Sequence, residues 1–170
     1  VSTPGNFLYY KRYFSIIETI RDQLQQTYPK GHDFVWEYSD IFFFREKDQK
    51  NAQNLIYNPA TKGNSKTLTP FAKAQLEVFK QLVCEINPKA IIMNNALASH
   101  IVLTHNLSHF NVSKFNTAAG CYWWEECSEG IPLFARGTMQ YGRLDKYEKE
   151  RLVWHIARTV RESTKYVEIE

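Results

Sequence analysis

The sequence predicts an α/β fold: three α/β/α layers around a largely parallel central sheet. Helix-period and strand-like stretches alternate along the chain, which opens and closes on a helix. A short apolar run at 90–93 halts on Asn94 and Asn95 and then turns small at Ala96, Ala98 and Ser99, the way a buried strand hands over to a helix packed close on its sheet. At 170 residues and 44% apolar content the chain can bury one core, so residues 1–170 are read as a single domain.

The elements follow in order. Residues 2–6 form a polar turn, and from 7 to 28 the apolar side chains Tyr10, Phe14, Ile17, Ile20, Leu24 and Tyr28 recur every three or four positions, one buried helical face. Pro29 and Gly31 end that helix. Residues 33–44 are crowded with aromatic and β-branched side chains, and 40–44 is expected to be a central strand. The charged stretch 45–53 and the polar stretch 58–66 are expected to be exposed connections. Thr69 followed by Pro70 has the form of an N-cap with proline in the first helical position. Ala72, Leu76, Phe79, Val83 and Ile86 then mark an apolar stripe that runs to Pro88.

After the strand at 90–93 a short helix is expected over 96–105, then loop with some extended pairing over 108–119. Residues 120–125 and 131–135 are expected to be strands bracketing an acidic turn. Pro132 has no N–H for a ladder, so the second strand must be entered late or lie near an edge. Asp145 and Glu148 stand in capping-box spacing before a final helix, whose stripe is Leu152, Ile156, Ala157 and Val160. Lys149, Arg151, Arg158 and Arg161 occupy its other face.

Charge is unevenly spread. Between 136 and 161 there are seven Lys or Arg (136, 143, 146, 149, 151, 158, 161) against Asp145, Glu148 and Glu150, a surplus of four that exceeds the net +3 of the whole chain. The basic character therefore sits at the C-terminal end, although +3 alone announces no nucleic-acid partner. Three cysteines, Cys84, Cys121 and Cys127, match no metal or disulfide framework and suit a reducing, cytoplasmic setting. No apolar run approaches membrane-spanning length, so no membrane partner is expected. His100, His105 and His109 lack a Cys or carboxylate at ligand spacing, and neither metal nor cofactor is expected. His155, beside Trp154, reads as a packed histidine. The sequons at Asn106 and Asn111 are of a form frequent by chance.

The most loaded segment is the loop after 131–135. Arg136, Gly137, Thr138, Gln140, Tyr141, Gly142 and Arg143 combine two cations, a hydroxyl, an amide and glycine-freed backbone N–H groups directly before a basic helix. Such a combination suits phosphate, with Lys149 one turn into the helix adding a further charge.

Read together, these pieces resemble the uracil-DNA glycosylase superfamily. Thr3-Pro4-Gly5-Asn6-Phe7 is similar to that family's first motif, and the stretch from Ser39 and Asp40 to Arg45 resembles the strand that offers a side chain to a flipped base. Residues 89–99 are similar to its third strand, with Asn95 at the glycine of the Gly-x-x-Ala turn and Ala98 matching the alanine. Residues 131–156 resemble its last strand, DNA-intercalating loop and closing helix. The resemblance implies a uracil-DNA glycosylase-like fold and a DNA or nucleobase partner. Pro4, Gly5, Phe7, Asp40 and Asn95 would then be at the base, and Arg136, Gly137, Thr138, Gln140, Arg143 and Lys149 at phosphates. It also implies a strand ahead of the first motif, of which only Val1 and Ser2 would remain here.

Departures from the pattern bear on activity. The catalytic Asp or Asn of the first motif falls on Thr3, which cannot serve as a carboxylate base, and the family's His-Pro-Ser is replaced by Ala135-Arg136-Gly137-Thr138 without a histidine. The expected function is therefore a glycosylase-like domain that binds DNA or a nucleobase with its hydrolytic groups absent or rebuilt. One alternative is an active base-excision enzyme, a hydrolase using Thr3, Asn6 or Asp40 with Arg136 as electrophilic partner. Another is a protein-interaction module with Tyr122, Trp123 and Trp124 as an exposed aromatic patch.

Overall fold

All five residues of the strand Ile131–Ala135 are buried, and a small mixed sheet is built around it. The computed structural model describes residues 8–26, 35–44, 49–59, 67–104, 110–127, 130–135 and 145–165. In chain order its elements are α1 (Leu8–Gln25), α2 (Gln49–Ile56), α3 (Pro70–Ile86), β1 (Ile91–Met93), α4 (Ala96–Thr104), β2 (Tyr122–Trp124), β3 (Ile131–Ala135) and α5 (Lys146–Lys165). They fall into two compact units. One comprises Val1–Trp36 with Pro88–Glu170, the other Glu37–Asn87.

The sheet of the first unit has the order β1-β3-β2. β1 runs parallel to β3 with Ile91 opposite Leu133, Ile92 opposite Phe134 and Met93 opposite Ala135. β2 runs antiparallel to β3, pairing Trp123 with Pro132 and Trp124 with Ile131. The expected α/β mixture is present, but the large, mainly parallel sheet is not: among the described residues it has three strands, and one of its two pairings is antiparallel. Pro132 lies in the central strand and inside its antiparallel ladder with β2, so the strand is neither an edge nor entered late as a whole; only the parallel ladder with β1 begins after the proline, at Leu133.

One face of the sheet is covered by α1 and α5. Ile16, Ile20 and Leu24 of α1 meet Leu152, Val153, Ile156 and Ala157 of α5 over Phe134 and Cys121, with Ile92 and Trp123 packed at the margin. Each of the larger aliphatic side chains removed from water here contributes about 1.5–3 kcal/mol. Ile16 was not on the expected stripe of α1; it is buried while Ile17 is only partly so, a rotation of the helix set by what α5 offers. Alternation along the strands turns Leu133, Met93 and Trp124 to the opposite face, where they are buried too. Hence the strands read as continuous apolar runs.

Local chemistry fixes the ends of these elements. Asp145 and Glu148 form the capping box of α5: the Glu148 N–H donates to Asp145 Oδ1 at 2.8 Å and the Asp145 N–H to Glu148 Oε2 at 3.3 Å. Before β2 the chain turns tightly, with Asn116 Oδ1 accepting from the N–H groups of Ala118 and Ala119 and Gly120 at φ +71°. Residues 111–113 pair alongside β2, where Ser113 N–H donates to the Trp123 carbonyl and Glu125 N–H to that of Asn111.

The second unit joins α2 to α3. Thr69 caps α3 as expected, accepting from the Ala72 N–H at 3.1 Å while donating to the Leu55 carbonyl at 2.6 Å. Ala72, Leu76, Phe79 and Val83 are its buried stripe, and Ile86, expected inside, is exposed. Asn87 closes the helix in the left-handed conformation at φ 45°.

Two expectations fail in this unit. Residues 40–44 form no strand: Phe43 N–H donates to Gln75 Oε1 of α3 at 3.0 Å, and the Phe44 ring packs 5.7 Å from Phe71. The aromatic run is held by a helix face instead of by a neighbouring strand. Residues 49–53 of the charged stretch expected to be exposed connection belong to the helix α2, which runs on to a buried Ile56. Its polar composition hid an inner side that amounts to little more than Ile56 and the partly buried Ala52, with the partly buried amide of Gln53 beside them in sequence.

The cysteines are also not three reduced thiols. Cys84 and Cys127 are disulfide-bonded and Cys121 is free and buried, an outcome that spacing along the chain does not reveal. No helix among the described residues is long and apolar enough to cross a membrane.

Candidate functional site

The parallel pair β1 and β3 organises the region where a ligand is expected. Met93 and Ala135, the last residues of the two strands, lie opposite one another, so both strands deliver the chain to the same edge of the sheet. From β1 it passes through Asn94 and Asn95 into α4, and from β3 into the segment that opens with Arg136. The carboxyl ends of adjacent parallel strands are where open α/β sheets bind ligands.

Asn95 is exposed at that edge and is committed on one side. Its Oδ1 accepts from the Leu97 N–H at 2.8 Å and from the Ala98 N–H at 3.2 Å, and its carbonyl accepts from Ser99 N–H. Asn95 is thus the N-cap of α4, which explains why an asparagine stands where the strand ends. The sequence reading identified it as a base-binding residue without recognising the cap. With its oxygen occupied, what the side chain can offer a ligand is the Nδ2 donor pair. Ser99, one turn on, is buried, and the small residues Ala96 and Ala98 keep the start of α4 lean.

The second cluster lies along α5. A groove of about 270 Å³ between α1 and α5 is lined by Thr19, Gln23, Lys146, Lys149, Glu150 and Val153. Lys146 is loosely paired with Glu150 at 3.9 Å, whereas Lys149 forms no ion pair among the described residues. Lys149 therefore presents a cation in the first turns of the helix that follows the Arg136–Arg143 segment, as a phosphate contact requires.

Other site candidates are distributed differently. Asp40 belongs to the second compact unit, in an exposed stretch where its Oδ1 accepts from the Tyr38 hydroxyl at 2.8 Å. Thr3, Pro4, Gly5, Asn6 and Phe7 lie outside the described residues, as do Arg136, Gly137, Thr138, Gln140 and Arg143. His105 and His109 lie outside as well. His100 is exposed with Nδ1 3.2 Å from Thr104 Oγ1. No three His, Cys, Asp or Glu side chains gather as metal ligands among the described residues.

The aromatic patch on β2 is corrected. Trp124 is 0% exposed with the Phe110 ring 5.2 Å away, and Trp123 and Tyr122 are partly buried, so these three side chains make no exposed platform. Both faces of β2 are needed by the core. Two exposed rings lie instead on α5, Tyr147 and Trp154, on the face that the sequence reading assigned to Lys149, Arg151, Arg158 and Arg161. Their spacing opposite the apolar stripe was the available signal. Comparison of the chain with family models, with curated proteins and with solved structures gives no match.

Proposed function

We propose that this chain is a uracil-DNA glycosylase-like domain that binds DNA or a nucleobase and lacks the groups for hydrolysis. The observation carrying the proposal is the Met93 to Ala135 register, which ends two parallel strands side by side, one followed directly by Asn94 and Asn95 and the other, in sequence, by Arg136. The first supplies amide donors for the edge of a planar base. The Arg136–Arg143 sequence holds guanidinium groups and glycine-freed N–H groups suited to phosphate, and Lys149 follows it in the first turns of α5. Thr3 in place of a carboxylate and the missing histidine near 136 argue against base-assisted attack of water on a glycosidic bond.

Fluorescence anisotropy of labelled oligonucleotides at two salt concentrations tests the binding. The expectation is affinity at low salt that falls steeply as salt is added, because neutralised phosphates release counterions. Replacing Arg136, Arg143 and Lys149 together by alanine flattens that dependence. No detectable association at low salt removes the proposal. Uracil-containing and damaged oligonucleotides, treated with alkali after incubation, are expected to stay intact. An abasic product would instead favour the active enzyme, with Thr3, Asn6 or Asp40 as the groups to replace first.

A further inference from the structure

Helix α5 carries a second stripe opposite its buried one. Tyr147, Arg151, Trp154 and Arg158 are spaced by four, three and four residues and so share one face, while Leu152, Val153, Ile156 and Ala157 face the core. Tyr147 is 79% exposed and Trp154 51%. What sets these two exposed rings apart is that they share one helix face with two arginines, away from the face that the core already uses. The Arg158 guanidinium lies 5.4 Å from the centre of the Trp154 ring, and its Nε bonds Glu162 at 2.8 Å. The His155 ring meets the indole edge-on at 4.9 Å. Trp154 is thereby held in place while half of it stays exposed. Arg151 is exposed and takes no part in the two ion pairs of the helix, Lys146 with Glu150 and Arg158 with Glu162, among the described residues.

From this arrangement we infer that the outer face of α5 is a binding surface for single-stranded nucleic acid. Trp154, with Tyr147 about 10 Å further along the helix, offers stacking planes for bases, and Arg151 stands between them at the level of a backbone phosphate. Charge favours this occupant. From 146 to 165 six Lys or Arg (146, 149, 151, 158, 161, 165) face three carboxylates (148, 150, 162), a surplus of three that repels another basic surface and attracts a polyanion. Two aromatic rings alternating with arginines match a chain in which flat bases alternate with phosphates. This surface is distinct from the sheet edge at Asn95. The inference rests on the nucleic-acid reading only in sharing a ligand class.

The test is titration of the intact chain with an unlabelled oligothymidylate, followed by tryptophan fluorescence, and with the same oligonucleotide labelled for anisotropy. Binding is expected to quench Trp154. W154A should remove the quench and weaken binding about tenfold, the effect of losing one base stack. R151A, at an exposed position outside both ion pairs of the helix among the described residues, should reduce the slope of log affinity against log salt by about 0.7. A combined R136A and R143A variant should keep the quench even where total affinity falls. If W154A and R151A both bind like the parent while R136A with R143A loses binding, the strand lies on the sheet edge; the stripe proposal is overturned and the sheet-edge reading stands. If no oligonucleotide binds at low salt, both are overturned, and the stripe is left to an acidic protein partner.

Discussion

Gly120 sits directly beneath His155. A Cβ built on the glycine would lie 2.6 Å from the His155 Cγ, and the backbone at φ +71° is one that side-chain-bearing residues rarely adopt. The turn into β2 and the middle of α5 are thus fitted to each other with no room for a methyl group. G120A is expected to cost about 2 kcal/mol or more, from backbone strain of ~1–2 kcal/mol plus the clash. Urea denaturation of G120A, H155A and the double variant checks this. In the H155A background the glycine substitution should cost only the backbone part, and equal costs in both backgrounds would mean that the imidazole exerts no steric limit.

Removing the cap of α3 is expected to be expensive, because the half-buried Thr69 serves two partners at once. Thr69 both accepts from Ala72 N–H and donates to the Leu55 carbonyl, so T69A should lose about 1–2 kcal/mol while T69S stays within a few tenths. Denaturant midpoints of the two variants provide the comparison.

Asn95 separates stability from recognition. N95D retains an oxygen for the Leu97 and Ala98 N–H groups and should fold as well as the parent, whereas N95A should lose about 1 kcal/mol. If the Nδ2 donors serve a base, N95D loses nucleobase affinity despite its intact thermal transition. Unchanged affinity in N95D would take Asn95 out of the binding edge.

Cys121 is the one free thiol, and burial pushes its pKa up from the ordinary 9.0 to about 11. It should resist iodoacetamide in the native state and react on denaturation, with two further thiols, Cys84 and Cys127, appearing only after reduction. Because its folded pKa is raised, the unfolded chain releases this proton first. The contribution to stability is complete below about pH 9 and is lost as pH rises toward 11. Comparing the alkaline stability profile with that of C121A isolates it: a C121A profile as steep as the parent's would assign the alkaline loss to other groups.

L133A tests the centre of the sheet. Leu133 is 0% exposed and lies between Ile91 and Tyr122 in the ladders. Its truncation should cost about 2–5 kcal/mol, measured by chemical denaturation. A loss below 1 kcal/mol would show that the strand is less tightly packed than its burial indicates.

Sequence by itself determined the features that depend on neighbours along the chain. Thr69 with Pro70, Asp145 with Glu148, the stripe from Ala72 to Val83 and the strands at 91–93, 122–124 and 131–135 are set by spacing, capping geometry and β-propensity, all local. It also located the turn at Asn94 and Asn95, though not the cap that occupies Asn95 Oδ1. Tertiary structure decided what depends on partners distant in sequence. Phe42 to Phe44 had every property of a central strand, yet α3 supplied Gln75 and Phe71 where a neighbouring strand was needed. Residues 49–56 became helical on the strength of a small apolar side, and Trp124 went inside while Trp154 stayed out. In each case one composition satisfied two environments equally well. The choice between them was made by the surface available to cover it, which no local pattern encodes.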